Sequence, residues 1–310
     1  MAQRRAKCRL GLGHAFNMQP GARSLFGGVM CVAMAACAPI AAPQSNAITP
    51  ERAPGSDRPM RVMSLIACTD QMLVALADRE QIASLSFYSQ NPRSSPIAAI
   101  AKTLPVNYLG AEDVIATKPD LVLSTPFMPH ATRQTLQRLG VKVLLFGVPD
   151  TVEASTAQVR EIGAALGQSS RADALIAEMR EAARPIEAPR GERALMTYPD
   201  GYAAGAGTLI DELMTKAGLW NVAPDYGLGR WGALSLEQMV SAPPDILLVE
   251  PERYSKGTDA ARLLGHPALK RAELSVRTAS VASSMLYCGG PVVPALANRL
   301  KAVARGEAAL

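Results

Sequence analysis

The chain has 310 residues, 48% of them apolar and 19% charged, a balance that supplies a buried core and excludes wholesale disorder. Its formal charge of +5 invites a polyanionic partner, but Arg4, Arg5, Lys7, Arg9 and Arg23 all lie in residues 1–37, which hold no acid. Taking these five from the 32 basic residues leaves 27 against 27 acids, and a neutral body with 5% aromatic residues lacks the clustered charge and stacking platforms of a nucleic-acid binder.

Residues 1–37 read as a secretory leader: a basic start, then an apolar run rich in small residues over 25–36, closed by Cys37 and soon followed by Pro39 and Pro43. The run falls short of the roughly 20 residues that span a bilayer, so a permanent anchor is the lesser reading. Met34-Ala35-Ala36-Cys37 resembles a bacterial lipobox with Met where Leu is usual, which makes Cys37 a candidate lipidation site; ordinary cleavage, for instance after Ala47, is the alternative. The stretch ahead of Met18 is longer than a leader requires. Cys8 and Cys31 also belong to the leader, and the body keeps Cys68 and Cys288, which either form one disulfide in an oxidising compartment or stay as thiols. His14, His130 and His266 are scattered and no CxxC or HExxH spacing occurs, so no metal site is expected.

Residues 38–59, rich in Pro and Ser, read as a tether. A first strand is expected over 61–66, with Thr69 or Asp70 capping a helix over 71–77. Strands follow over 82–87, 121–124 and 141–146, with helices over 112–117 and 131–139, the α/β alternation of a parallel sheet covered on both faces. Helices over 152–166 and 170–184 come next, the latter with an Ala172, Leu175, Ile176 and Met179 stripe and ended by Pro185. A second lobe then reads as strands over 193–198, 246–249 and 279–281, with helices over 209–217, 236–241, 260–264 and 292–304. The expected organisation is an N-terminal α/β lobe (60–168), a stiff linker helix (169–186) and a C-terminal α/β lobe (187–310).

An imperfect repeat supports two similarly built lobes. Glu112-Asp113-Val114-Ile115-Ala116-Thr117-Lys118-Pro119-Asp120-Leu121-Val122-Leu123 aligns with Glu237-Gln238-Met239-Val240-Ser241-Ala242-Pro243-Pro244-Asp245-Ile246-Leu247-Leu248, with Glu, Pro and Asp matching at the same offset. Ser235 with Gln238 forms a capping box and Leu234 with Met239 a hydrophobic staple, placing Glu237 in the first turn of its helix. Acids there often serve only the helix dipole.

Gly227-Leu228-Gly229-Arg230-Trp231-Gly232 satisfies GxGxxG, but the segment before it holds Pro224 and is no strand, so it is not a dinucleotide fingerprint. Loops after strands are the better candidates for a site: they carry Tyr88, Phe127, His130, Tyr198, Tyr202, Arg253, Tyr254 and Tyr287.

These segments together resemble the periplasmic substrate-binding proteins of ABC importers for iron-siderophore complexes and cobalamin. The resemblance runs from about residue 60 to 304. It rests on Arg61-Val62-Met63-Ser64-Leu65 with Cys68-Thr69-Asp70, the two repeat segments, Leu139-Gly140-Val141-Lys142-Val143, Gly207-Thr208-Leu209-Ile210, Gly265-His266-Pro267-Ala268-Leu269 and Cys288-Gly289-Gly290-Pro291. It implies a non-catalytic, monomeric periplasmic protein without a cofactor. Such a protein captures a ferric siderophore, haem or cobalamin in an interlobe cleft and passes it to an inner-membrane permease dimer. Within it Glu112 and Glu237 match the surface acids, one per lobe, that meet permease Arg residues. By loop position Tyr88, Tyr198, Arg230, Trp231 and Tyr287 are the expected ligand contacts. An enzyme on a related two-lobed fold and a scaffolding lipoprotein are the rival readings.

Overall fold

The structure is a computed structural model that describes residues 58–187, 190–198, 200–251, 267 and 276–307. The expected leader, Cys37, most of the tether, the helix over 260–264, His266, Arg253 and Tyr254 lie outside the described residues.

The first lobe is built on β1 (Val62–Ser64), β2 (Ile82–Ser86), β3 (Val106–Asn107), β4 (Leu121–Ser124) and β5 (Lys142–Leu145). They form one sheet in the order β3-β2-β1-β4-β5, every pair parallel. The central β1 and β4 are buried along their whole length, as expected of strands covered on both faces. Helices α1 (Ala67–Leu76), α2 (Ala98–Ala101), α3 (Ala111–Thr117) and α4 (His130–Arg138) connect them.

The second lobe repeats the plan. Its sheet runs β11-β10-β6-β8, again all parallel, from β6 (Glu192–Met196), β8 (Leu219–Asn221), β10 (Ile246–Val249) and β11 (Arg277–Ser280). A small antiparallel pair, β7 (Tyr202–Ala204) with β9 (Trp231–Ala233), stands beside it. Its helices are α7 (Leu209–Lys216) and α8 (Leu236–Ser241).

The sequence repeat occupies the same place in both sheets: α3 leads into β4 beside β1, and α8 leads into β10 beside β6. Its shared Asp has the same task twice. Asp120 accepts from the backbone amides of Met60 and Arg61, and Asp245 from that of Arg193, so each carboxylate pins the entry of its lobe's first strand. The Ser235–Gln238 capping box forms, and Leu234 and Met239 are buried in one apolar cluster.

Between β5 and β6 run α5 (Val152–Leu166) and α6 (Ser169–Ala182), which pack on each other. Gly163 permits the approach, since a Cβ there would lie 2.4 Å from that of Ala172. Ala172, Ile176 and Met179 are buried as the stripe requires, and α9 (Val293–Ala304) returns from the second sheet to lie on α6 and α7. One apolar cluster therefore runs from β1, β2 and β4 through α5, α6 and α9 to β6 and β10.

Two expectations need correction. The cap assigned to Thr69 or Asp70 is wrong: α1 starts at Ala67, four residues earlier than the apolar spacing indicated, and Ile66 is its N-cap. Asp70 is fully buried inside the helix and accepts from the amide of Ser86 at 2.9 Å and from the Ser86 hydroxyl. Strands β3, β7, β8 and β9 and helix α2 were not anticipated; each has two to four residues, too few to show a period.

Candidate functional site

All strands of both main sheets are parallel, so their carboxyl ends, and the loops that follow, gather on one side of each lobe. Many of the aromatic side chains among the described residues lie there. On the first lobe Phe87 and Tyr88 follow β2, Tyr108 follows β3 and Phe127 follows β4, all exposed, with ring centres of Phe87 and Tyr88 4.0 Å apart and of Phe87 and Tyr108 5.7 Å apart. This rim is held from below. The buried Asn107 amide donates to the carbonyls of Ser64 and Leu85 and to the Ser84 hydroxyl, tying the ends of β1, β2 and β3 together, while Asp70 holds Ser86 directly before Phe87. Burial pushes the Asp70 carboxyl up to about 7, against the opposing hydrogen bonds from Ser64 and Ser86.

A cavity of about 280 Å³ lies between the lobes, lined by Asp150 from the loop after β5 and by Tyr198, Arg230, Trp231, Leu286 and Cys288 from the second lobe. Of the five expected contacts, Tyr198, Arg230 and Trp231 line it. Tyr287 joins them through its ring, 6.0 Å from that of Tyr198, and Trp231 meets Tyr198 edge-on at 5.3 Å. Tyr88 stands apart, in the first-lobe cluster.

The segment of Arg230 and Trp231, where the chain enters β9, owes its position to Gly205. The Gly205 amide donates to the Arg230 carbonyl at 2.9 Å, and a Cβ at Gly205 would sit 1.9 Å from the Gly229 carbonyl oxygen, so only glycine admits the contact. The Arg230 guanidinium pairs with Asp150, joining the lobes across the cavity. Both partners are about half exposed, so the pair is weak and readily exchanged.

Cys68 and Cys288 form a disulfide, with Cα atoms 5.2 Å apart across 220 positions of sequence. It links the first turn of α1 to the loop after β11, and the Gly290 amide donates to Ser155 of α5, so the segment 287–290 is fastened to the first lobe while Tyr287 faces the second. Sequence reading missed Glu250 at the end of β10: fully buried, it accepts from Tyr287 at 2.6 Å and from the Ser283 hydroxyl. Tyr108 and Asp150 were also missed, because a lone residue after a short strand leaves no local pattern.

Glu112 and Glu237 occupy the same position in the first turns of α3 and α8, and both are exposed. Because each helix runs antiparallel to its sheet, both acids stand on the carboxyl-end side, the side of the cleft.

The family model described as "Periplasmic binding protein" matches residues 62–274. Similar solved structures include the periplasmic heme-binding protein RhuT from Roseiflexus sp. RS-1, at 25% identity and a TM-score of 0.61, covering 81% of this chain and 100% of that one. A periplasmic heme binding protein from Pseudomonas aeruginosa is also 25% identical, with a TM-score of 0.61 over 81% of this chain and 94% of its own. The vitamin B12 binding protein BtuF of Vibrio cholerae shares the fold at 16% identity and a TM-score of 0.56, over 80% and 98% of the two chains. No curated protein matches the chain in sequence.

Proposed function

The chain belongs to the periplasmic binding protein family, and from that premise we propose that it captures a metal chelate or corrinoid in the cleft between its lobes and delivers it to an inner-membrane ABC permease. The observation that carries this reading is the placement of aromatic side chains on both sides of the cleft. Phe87, Tyr88 and Tyr108 offer an exposed stacking face on the first lobe, and Tyr198, Trp231 and Tyr287 form a wall on the second. A large planar ligand with an apolar body and a few polar edge groups suits such walls, with Arg230 as the cation at hand. Haem has this character most fully, the corrin ring of cobalamin shares it with carboxamides at its edge, and ferric siderophores, which are more compact and polar, fit it least; the two 25% identical heme-binding structures support the same order.

Capture proceeds with little hinge closure and without turnover. The continuous core through α5, α6 and α9 and the Cys68–Cys288 bond both resist separation of the lobes. The protein acts as a monomer, with Glu112 and Glu237 as one acid per lobe meeting cations on the two halves of a permease dimer; paired charges of this kind orient an encounter more than they tighten it. In the periplasm it is either soluble or tethered through a lipidated Cys37.

Trp231 lies in the wall of the cavity, so its fluorescence reports occupancy. Titration of protein lacking residues 1–37 with haemin, cyanocobalamin and a ferric hydroxamate siderophore is expected to give saturable 1:1 quenching by at least one class. Absence of saturable binding by all three would refute capture.

A further inference from the structure

Tyr198 is buried to 5% exposure, lines the interlobe cavity, and its hydroxyl has no hydrogen-bond partner among the described residues. A buried donor left unsatisfied is costly, and in native structures such groups are rare. The polar groups around it are bonded to one another. Tyr287 donates its own hydroxyl to Glu250, whose other oxygen is taken by Ser283, and Trp231 offers Tyr198 only a ring edge. Tyr198 therefore keeps a donor in reserve where the second lobe's aromatic wall, together with Trp231, lines the cavity.

We propose that the Tyr198 hydroxyl donates a hydrogen bond to the captured ligand, and that the ligand presents to it a carboxylate or carboxamide oxygen at the edge of an otherwise apolar body. The proposal rests on the capture reading and adds to it the chemistry of the edge that enters this cavity. Burial, followed by the nearby Tyr287, Glu250 and Asp200, raises the phenol well above its ordinary range, so it stays protonated and can only serve as a neutral donor or acceptor. Arg230 lines the same cavity, and its exposed pairing with Asp150 leaves it able to exchange onto a ligand carboxylate.

The test compares the wild-type protein with Tyr198→Phe, which removes one oxygen and keeps the ring. Haemin supplies peripheral carboxylates, cyanocobalamin supplies carboxamides, and haemin dimethyl ester supplies ester carbonyls without charge, so the three probes separate the sources of the acceptor. Tyr198→Phe is expected to weaken binding of the wild type's preferred probe about tenfold. It is also expected to leave the melting temperature of the ligand-free protein unchanged or raised, because no protein partner loses its bond. Tyr287→Phe, which strips Glu250 of a donor, is expected to lower it. Equal affinities of the wild type and Tyr198→Phe would overturn this proposal alone. A fall in the ligand-free melting temperature of Tyr198→Phe, like that of Tyr287→Phe, would also overturn it, by showing that the hydroxyl serves the fold. Failure of the wild type to bind any of these probes would overturn this proposal, and failure to bind a ferric hydroxamate siderophore as well would overturn the capture reading with it.

Discussion

Replacing both Cys68 and Cys288 with Ala removes a cross-link that closes a loop of 220 positions between the two lobes. In the chain-entropy treatment a loop of about 100 residues is worth about 4.7 kcal/mol, and the logarithmic dependence on length brings this one to about 5 kcal/mol. Measured losses for native disulfides run from about 2 to 5 kcal/mol, and for a body of this size each kcal/mol moves the midpoint by about 2–4 °C. The expected result is a melting temperature lower by about 5–15 °C, read by differential scanning calorimetry, with wild-type protein in excess dithiothreitol shifting in the same direction. The variant should still fold, because the core through α5, α6 and α9 joins the lobes without the sulfurs. A midpoint within about 2 °C of the wild type in both experiments would refute the reasoning, since it would mean that the cross-link does not restrict the unfolded chain.

Asp70 gives a pH dependence of definite sign. Its folded-state pKa, raised by burial to about 7, exceeds its unfolded value of about 3.9. Its contribution is therefore fully present below the unfolded value and is lost as the pH rises through about 7, so the wild type's melting temperature should fall from pH 5 to pH 8. Asp70→Asn, which mimics the protonated form, should flatten that slope, and an identical slope in the variant would contradict the assignment. Glu112→Ala combined with Glu237→Ala should bind ligand as the wild type does but abolish ligand uptake in a transport assay with the cognate permease. Impaired ligand binding by that double variant would count against a docking role for the two acids.

Much of the fold was legible because strong punctuation brackets its long apolar segments. The sequence-based bounds of β4, α5, α8 and β10 coincide with the structure: Pro-Asp turns precede both strands, Thr151 caps α5 by accepting from the Ala154 amide, and Gly167 ends it in a left-handed turn. The repeat revealed the equivalence of the lobes because its Asp is fixed by the same backbone duty at Asp120 and Asp245. What failed was local. Asp70 looked like a cap because Ala67 and Cys68 carry no helical signal of their own, and β7 and β9 are three-residue strands that only their mutual pairing defines. At the site, strand-end position pointed to Tyr198 and Tyr287, since a parallel sheet gathers its loops on one side; Trp231, expected in an exposed loop near a helix start, instead begins β9 of the antiparallel pair. It was not enough for Asp150 or Glu250, whose importance lies in partners 80 and 37 positions away. The pairing of Cys68 with Cys288 was likewise beyond reach of spacing across 220 positions.

The central claim is capture of a metal chelate or corrinoid, and the most direct measurement is native mass spectrometry of the exported protein isolated from cells supplied with haem, cobalamin and ferric siderophore. A population heavier than the bare mature chain by the mass of one such ligand is the predicted result. Only the bare mass under every supply, with no binding on titration, would contradict it.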